Sequence, residues 1–283
     1  MDVKTIAVVG AGTMGRGIAY AAVAGGFRVV LTDVNGDALS KAEAYVRENL
    51  AAAKERGKWS GEIEAALSAL TLKPELEDVA AAELIIEAVP EEMRLKVETL
   101  TRVEKAAPPE AILASNTSSL SLSEMSAALS RPGCFLGMHF FNPVPKMKLI
   151  ELVYTPATAE ETLATAEAVA RRMEKETVRV KDSPGFATSR LNALLGNEAF
   201  RLLEEGVATA EDIDKAVKLG LNHPMGPFEM ADLVGLDVRL AILEYLHRTL
   251  GERFKPCALL VERVRQGRLG RKTGRGVYEY EKK

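Results

Sequence analysis

Two polar residues, His139 and Glu151, interrupt runs of the sequence that are otherwise apolar. The runs, residues 135–141 and 149–154, are typical of buried strands, and the link between them contains two prolines, which favour a turn. If the strands fold back about Pro145, positions 139 and 151 lie opposite one another. A carboxylate facing an imidazole in an apolar site fixes the ring tautomer and raises its affinity for a proton, which suits a general base. A hydrogen-bonded core histidine beside an amphipathic glutamate fits this stretch equally well.

A second group of residues has the spacing of a dinucleotide-binding loop. The motif Gly10-Ala11-Gly12-Thr13-Met14-Gly15 lies between a β-branched run at 5–9 and a helical pattern at 17–25. In that position Gly10 permits a tight turn, Gly12 lets the backbone approach a pyrophosphate, and Gly15 lets helix and strand pack closely. The pattern therefore predicts a nucleotide cofactor above this loop.

The type of cofactor is indicated by Asp33, which ends the next predicted strand, residues 27–32. An acid at this distance from the glycine loop accepts hydrogen bonds from the ribose hydroxyls of NAD and repels the 2′-phosphate of NADP. Residues 34–36 include no arginine that could hold such a phosphate. We therefore expect NAD; the alternative is a generic glycine turn followed by a surface aspartate.

Polar residues also follow the strand predicted at 111–115, in the sequence Asn116-Thr117-Ser118-Ser119. Ligands of doubly wound sheets bind at the carboxyl ends of the strands, so these side chains are candidates for contacts with nicotinamide and substrate. The alternative is that Ser119 or Ser121 simply caps the helix predicted at 122–129, and Ser118 could serve either role.

Strands and helices alternate over the first part of the chain and must position these residues. Strands are predicted at 5–9, 27–32, 84–89, 111–115, 135–141, 149–154 and 177–181, and helices at 17–25, 37–56, 62–69, 91–106, 122–129 and 159–175. The stretch 37–69 is longer than a plain crossover needs, which leaves it able to reach over a substrate. This alternation predicts a Rossmann-type doubly wound sheet over residues 1–183.

The pattern changes at Ser183, beyond which the predicted elements are helical until the last residues. Helices are predicted at 186–205, 210–219, 227–234, 237–250 and 258–266. The fold class is therefore α/β, with a smaller all-α domain over residues 184–283. Leucines at helical spacing along 236–250 form either the core of this domain or a contact with a second copy of the chain.

Composition narrows the class of protein. The chain of 283 residues is 47% hydrophobic and 27% charged with a net charge of −3, which does not favour a nucleic-acid-binding surface. The two cysteines, Cys134 and Cys257, lack metal-ligand spacing and are expected to be reduced thiols, and we expect no metal. No apolar run approaches the length of a membrane span, and the first strand begins at Thr5 with no signal segment before it, so a cytoplasmic location is expected.

Three basic residues, Lys54, Arg56 and Lys58, lie around the end of the long helix predicted at 37–56. These side chains could meet a phosphate of a substrate, although charges beside a glycine are more often a solvated face. The basic run at 263–275 is interpreted as a solvated tail.

Taken together, the motifs resemble one enzyme family over nearly the whole chain. The glycine loop and the stretches 114–119, 138–145, 182–186, 223–227 and 269–274 occur in the order seen in the L-3-hydroxyacyl-CoA dehydrogenases. The closest resemblance is to the single-function bacterial 3-hydroxybutyryl-CoA dehydrogenases. It implies a reversible, NAD-dependent oxidation of a short L-3-hydroxyacyl-CoA to the 3-ketoacyl-CoA by a homodimer, without nucleic acid or membrane partners.

The resemblance also implies roles for single residues. His139 matches the general base that takes the proton of the 3-hydroxyl group, and Glu151 matches the residue that stabilises the imidazolium. Ser118 and Asn142 match residues that hold the hydroxyl and the thioester end of the substrate, close to the cofactor. Positions on the cofactor side, beyond the glycine loop, are Asp33, Ala88, Glu91, Lys96, Asn116 and Lys272. Hydride leaves an alcohol carbon only as its hydroxyl proton is lost, which is consistent with a base at position 139.

One residue departs from the family pattern: Ser189 stands before Arg190, where the family usually has asparagine, and Asn192 lies one turn further on. A related hydroxyacid or sugar-acid dehydrogenase of the L-gulonate type is an alternative on the same two-domain plan. A catalytically silent NAD-binding regulatory or structural protein is another, but the presence of His139 and Glu151 together with Ser118 and Asn142 argues against lost catalysis.

Overall fold

The computed structural model describes residues 1–281, apart from the side chain of Glu77. The chain forms two compact units, the first of which spans Met1–Ser183, while the second begins at Pro184. The first unit carries the sheet and the second is helical, in agreement with the predicted fold class.

The N-terminal unit is built on an eight-stranded sheet with the strand order β3-β2-β1-β4-β5-β6-β7-β8. The strands are β1 (Thr5–Val9), β2 (Arg28–Thr32), β3 (Leu70–Lys73), β4 (Leu84–Glu87), β5 (Ile112–Ser115), β6 (Phe135–Phe140), β7 (Leu149–Tyr154) and β8 (Glu176–Lys181). The first six strands are parallel, β7 is antiparallel to β6, and β8 is parallel to β7. The carboxyl ends of β1, β4, β5 and β6 therefore lie along one edge of the sheet, which is where doubly wound folds bind ligands.

Helices cover the faces of this sheet: α1 (Thr13–Ala24), α2 (Gly36–Glu55), α3 (Ile63–Ser68), α4 (Met93–Ala106), α5 (Leu122–Ala127) and α6 (Glu160–Arg172). The central strands β1 and β4 are buried along their whole length, as expected for parallel strands that are covered on both sides. Helix α1 begins at Thr13, earlier than predicted, because Gly12 is its N-cap and the rest of the glycine loop forms its first turn.

The strand β3 was not predicted from the sequence. It has only four residues, and its side chains change from buried at Leu70 to half-buried or exposed, as is usual at the edge of a sheet. Its backbone pairs with β2 from Val29 to Thr32. The helices α2 and α3 therefore form the crossover from β2 to β3.

The C-terminal unit consists of the helices α7 (Thr188–Glu204), α8 (Ala210–Gly220), α9 (Pro227–Val234), α10 (Leu236–Leu250) and α11 (Ala258–Arg265). Three members of the leucine stripe of α10, Leu236, Leu243 and Leu246, are completely buried among Phe200, Phe228 and their neighbours. Most of the stripe is therefore core of this unit.

No helix within residues 1–281 combines the length and the apolar character that a membrane crossing requires. In the same residues, no group of three or more His, Cys, Asp or Glu side chains is arranged to hold a metal ion.

Candidate active site

His139 and Glu151 face each other across β6 and β7. The register pairs His139 with Glu151 and Phe140 with Ile150, which confirms the predicted alignment of the two strands. The Nδ1 atom of His139 lies 2.8 Å from Oε2 of Glu151, and the two side chains are 8% and 0% exposed. The ring of Phe141 packs against the imidazole with 4.4 Å between centroids. The carboxylate thus fixes the ring orientation and makes Nε2 the nitrogen that can act as a base.

The glycine loop has the local geometry that a dinucleotide requires. Gly10 has a φ of +101°, and a Cβ atom there would lie 2.8 Å from the carbonyl oxygen of Ala88. A Cβ atom on Gly15 would lie only 1.7 Å from the carbonyl oxygen of Gly10, whereas one on Gly12 would meet nothing within 4 Å. Gly10 and Gly15 are therefore needed for the turn and for close packing, while Gly12 leaves the backbone open to a ligand at the start of α1.

A cleft of about 690 Å³ lies above this loop. Asp33 lines the cleft, and its carboxylate accepts hydrogen bonds from the backbone N–H groups of Ala11 at 2.7 Å and Asn35 at 2.8 Å. Thr13, Met14 and Ala88, which were predicted on the cofactor side, also line it. The amide bonds orient the Asp33 carboxylate at the end of β2, where it can accept hydrogen bonds from a ribose.

Several residues that line the cleft were not predicted from the sequence. Leu95, Thr99 and Arg102 line it from α4, and Leu76 lines it from the segment after β3. The three residues of α4 are spaced by four and three positions and so share one face of the helix. That spacing was visible in the sequence, but only the sheet order shows that this face of α4 borders the cleft.

Glu91 organises the loop that follows β5. Its Oε1 atom accepts hydrogen bonds from the hydroxyl of Thr117 at 2.7 Å and from the backbone N–H of Ser118 at 2.9 Å. The Ser118 hydroxyl and both donors of Ser119 also reach this oxygen at 3.2 Å. Burial raises the pKa of the Glu91 carboxyl, but Lys96 and these hydrogen bonds outweigh it, so the pKa lies below its ordinary value. Glu91 thus fixes the position of Ser118.

Lys96 is buried beneath this loop, with its side chain 2% exposed. Its Nζ atom donates to Glu87 at 2.7 Å and to the carbonyl oxygen of Val89 at 3.1 Å, and it lies 3.4 Å from Glu91. Glu87, at the end of β4, also accepts a hydrogen bond of 2.6 Å from Ser115. Sequence reasoning missed Glu87, because a glutamate inside an apolar strand gives no local signal of its partner.

Two asparagines lie at the same edge of the sheet. The side-chain oxygen of Asn116 accepts a hydrogen bond of 2.9 Å from the backbone N–H of Phe140, which ties the end of β5 to the end of β6. Asn142 is exposed and begins the turn that leaves β6. The structure thus brings Asn116, Ser118, His139 and Asn142 to the carboxyl ends of adjacent strands.

A second cavity, of about 390 Å³, lies between α1, α2, the turn after β6 and the end of α6. Its lining contains Trp59, Tyr20 and Asn49, and it includes one acidic residue, Glu174. The basic residues that line it are Arg56, Lys58, Lys146, Lys148, Arg172 and Lys175. Such an excess of cations attracts a polyanionic ligand.

Lys54, the other basic residue predicted on the substrate side, makes a different contact. Its Nζ atom donates to Glu62 at 3.0 Å across the α2–α3 connection. Both side chains are largely exposed, so this pair contributes little to stability.

The remaining candidates belong to the C-terminal unit. The Nζ atom of Lys272 donates to both carboxylate oxygens of Asp237, at 2.6 and 2.7 Å. Ser189 is half-buried in the first turn of α7, and the backbone carbonyl of Asn192 accepts a hydrogen bond from Arg239.

Comparison with known proteins places these features in a family. Residues 5–183 match the 3-hydroxyacyl-CoA dehydrogenase NAD-binding domain, and residues 185–280 match the 3-hydroxyacyl-CoA dehydrogenase C-terminal domain. A probable 3-hydroxybutyryl-CoA dehydrogenase of Bacillus subtilis is 44% identical over 100% of this chain and 99% of its own length. A 3-hydroxybutyryl-CoA dehydrogenase of Bradyrhizobium diazoefficiens is 41% identical over 98% of this chain and 96% of its own.

A solved structure agrees with these sequence relatives. The crystal structure of (S)-3-hydroxybutyryl-CoA dehydrogenase from Ralstonia eutropha superimposes with a TM-score of 0.95 at 42% identity, covering 99% of this chain and 100% of the other. The two domain matches together span nearly all residues, and the relatives are aligned from end to end. These findings assign the chain to one family. The chain belongs to the 3-hydroxyacyl-CoA dehydrogenase family, and its N-terminal unit is the NAD-binding domain of that family.

Proposed function

We propose that this protein is an NAD-dependent L-3-hydroxyacyl-CoA dehydrogenase that interconverts a short 3-hydroxyacyl-CoA, such as 3-hydroxybutyryl-CoA, and its 3-ketoacyl-CoA. The observation that carries the proposal is the buried pair of His139 and Glu151 at the edge of the sheet that also holds the glycine loop. The relatives that are aligned along their whole length bear the name of this activity.

In the oxidation direction, Nε2 of His139 takes the proton of the 3-hydroxyl group while C3 loses hydride. Bound NAD supplies the acceptor for that hydride. The imidazolium that forms carries a positive charge in a site from which water is largely excluded, and the Glu151 carboxylate at 2.8 Å stabilises it. In the reduction direction the same proton returns to the substrate oxygen.

Ser118 and Asn142 orient the substrate. The Ser118 hydroxyl, which Glu91 holds in place, contacts the 3-oxygen, and the Asn142 amide contacts the thioester carbonyl. Asn116 has a supporting role, because its side chain already bonds to the backbone of β6. Lys96 supports the cofactor side through its contact with Glu91.

The second cavity binds the nucleotide end of coenzyme A. That end carries a diphosphate and a 3′-phosphate on an adenosine, and the cavity offers six basic side chains together with Trp59 and Tyr20. Arg56 is the member of the predicted basic pair that lines this cavity, whereas Lys54 pairs with Glu62. Arg56 is therefore assigned to the phosphates, and Lys54 contributes only at longer range.

The active form is a homodimer that associates through the C-terminal unit. Most of the leucine stripe of α10 is core, so the association uses other apolar side chains, which are 43–76% exposed. They are Leu191, Leu219, Leu221, Leu233, Val234 and Val238. Large apolar side chains left exposed on a helical unit are typical of contacts between subunits. Because NAD and acyl-CoA thioesters are metabolites of the cell interior, the proposal includes a cytoplasmic location.

A direct assay tests the activity. Acetoacetyl-CoA and NADH are mixed with the protein, and the loss of NADH absorbance is followed. Rapid oxidation of NADH that His139→Gln abolishes supports the proposal. Turnover of a sugar acid or a free hydroxyacid, but not of the CoA thioester, would assign the protein to the related dehydrogenases, and no turnover at all would indicate a silent NAD-binding protein.

A further inference from the structure

The strands that carry His139 and Glu151 are joined by an irregular segment, residues 141–148, here called the tip segment. Within it, the backbone N–H groups of Lys146 and Met147 both donate to the carbonyl oxygen of Pro143, at 2.9 and 3.1 Å. The last pair of the ladder before the tip segment is Phe140 with Ile150, directly beside the catalytic pair. A shift of the tip segment would therefore be transmitted to His139 and Glu151 through a single ladder position.

Val144 anchors the tip segment on its inner side. Its side chain is 1% exposed and packs against α1 in the main hydrophobic core. A Cβ atom on Gly17 of α1 would lie 2.8 Å from Cγ2 of Val144, so the absence of a side chain at position 17 makes room for this contact. The tip segment thus rests on the helix that begins at the glycine loop.

Lys175 holds the tip segment from the other side. It lies in the link between α6 and β8, and its Nζ atom donates to the carbonyl oxygens of Val144 at 2.6 Å and of Met147 at 2.7 Å. The side chain is half-buried, and burial lowers the pKa of its ammonium group, with Glu174 acting in the opposite direction. In the described part of the chain Lys175 makes no ion pair, so its hydrogen bonds go to the backbone of the tip segment.

We propose that Lys175 is a positioning residue for the catalytic pair, which it places through the tip segment that joins β6 and β7. The proposal rests on the proposed function. Hydrogen bonds donated by an ammonium group are about twice as strong as those between neutral groups, and these two close the tip segment against α1. Proton transfer to a base depends steeply on its position, and a displacement of about 1 Å can cost about 100-fold in rate. Lys175 therefore affects kcat although it does not touch the reacting atoms.

The variant that tests this is Lys175→Met, which keeps the length of the side chain and removes its donors. Because Lys175 also lines the second cavity, two substrates are compared: acetoacetyl-CoA, and acetoacetyl-N-acetylcysteamine, which lacks the nucleotide. We expect kcat to fall by about 10- to 100-fold with both thioesters, while the dissociation constant of NADH stays within about twofold of its original value. Lys105→Met, at an exposed lysine near the end of α4, is the matched control and leaves both quantities unchanged.

A loss confined to the KM for acetoacetyl-CoA, with normal kcat on the short thioester, would overturn the proposal and make Lys175 a phosphate ligand only. A parallel loss of kcat, NADH affinity and thermal stability would also overturn it, because that is the signature of general unfolding. If Lys175→Met does not fold, Lys175→Gln carries the same test, since its amide is neutral and its side chain is shorter, which weakens both bonds.

Hydrogen exchange provides a measurement that does not depend on activity. In Lys175→Met the amides of residues 141–148 should exchange faster than in the original protein, while those of α10 should not change. Unchanged exchange in the tip segment would overturn the proposal even if turnover fell. Failure of the original protein to reduce either thioester would instead refute the proposed function, and the exchange result would still decide whether Lys175 holds the segment.

Discussion

The imidazole of His139 and the carboxylate of Glu151 meet at 2.8 Å between two antiparallel strands, and the carboxylate is completely buried. A buried charge of this kind is retained only if it has a partner, and the imidazole is that partner. Removing the charge of Glu151 should therefore affect the reaction at His139.

Glu151→Gln keeps the size of the side chain and removes its charge. Since the imidazolium forms during the reaction, the loss should appear in kcat and not in the binding of NADH. We expect a reduction of about 30- to 1,000-fold in kcat, equivalent to about 2 to 4 kcal/mol for one preorganised electrostatic partner. Steady-state kinetics and a fluorescence titration with NADH measure the two quantities. A variant with nearly normal kcat would show that Glu151 serves the fold alone.

Asp33 should make the enzyme prefer NADH to NADPH. The 2′-phosphate of NADPH would remove hydrogen bonds to the carboxylate and place a like charge beside it, which costs about 2 to 4 kcal/mol, or about 30- to 1,000-fold in kcat/KM. Asp33→Ser should reduce this preference, mainly by weakening the binding of NADH. Equal kcat/KM values for the two cofactors in the original enzyme would contradict the assignment.

Arg56 and Lys54 should differ in their effects on the substrate. Arg56→Ala should raise the KM for acetoacetyl-CoA by about 5- to 30-fold, since one charge-assisted contact with phosphate is lost, and should leave the N-acetylcysteamine thioester unaffected. Lys54→Ala should have a smaller effect, because its ammonium group is bonded to Glu62. Michaelis constants of both variants, measured with both thioesters, test this difference. An equal or larger effect at Lys54 would mean that the phosphates bind on the outer side of α2.

Glu91 should make the free energy of unfolding depend on pH under acidic conditions. Its folded-state pKa lies below its ordinary value of 4.5, so its contribution is present above that value and is lost as the pH falls through the folded-state pKa. The difference in unfolding free energy between the original protein and Glu91→Gln should therefore be largest at neutral pH and shrink below pH 4.5. Urea unfolding followed by the single tryptophan, Trp59, measures it.

The neighbouring residue Glu92 is the control for this prediction. It is exposed at the start of α4, and its side chain makes no capping hydrogen bond. Glu92→Gln should change the unfolding free energy by less than about 0.5 kcal/mol at neutral pH, as is usual for a surface substitution. A constant difference between the original protein and Glu91→Gln at all pH values would contradict the role assigned to the Glu91 carboxylate.

The exposed apolar residues of the C-terminal unit should determine the oligomeric state. Replacing Leu219 and Leu221 with aspartate places two charges in the proposed contact, where they would lose water without gaining partners. Light scattering should show a dimer for the original protein and a monomer for this double variant. Val261→Asp, a substitution at an exposed valine of α11, should remain dimeric. A dimeric Leu219→Asp/Leu221→Asp protein would place the interface elsewhere.

The sequence by itself determined the features that depend on local spacing. The glycine loop, the alternation of strands with helices and the alignment of His139 with Glu151 all follow from residue types at fixed separations, and the structure contains each of them. Side-chain direction alternates along a strand, so a turn centred on Pro145 was enough to set which residues face each other.

Only the tertiary structure decided which neighbours each side chain meets. The edge strand β3 is too short to give a periodic signal, and its pairing with β2 depends on residues about forty positions away. From the sequence, the leucines of α10 could face either a second copy of the chain or the core of their own unit. In the structure most of them pack in the core with Phe200 and Phe228. Lys54 and Arg56 are two residues apart, yet one bonds to Glu62 and the other lines a cavity. Such contacts join distant segments, and their partners are chosen by the packing of whole helices and strands rather than by local sequence.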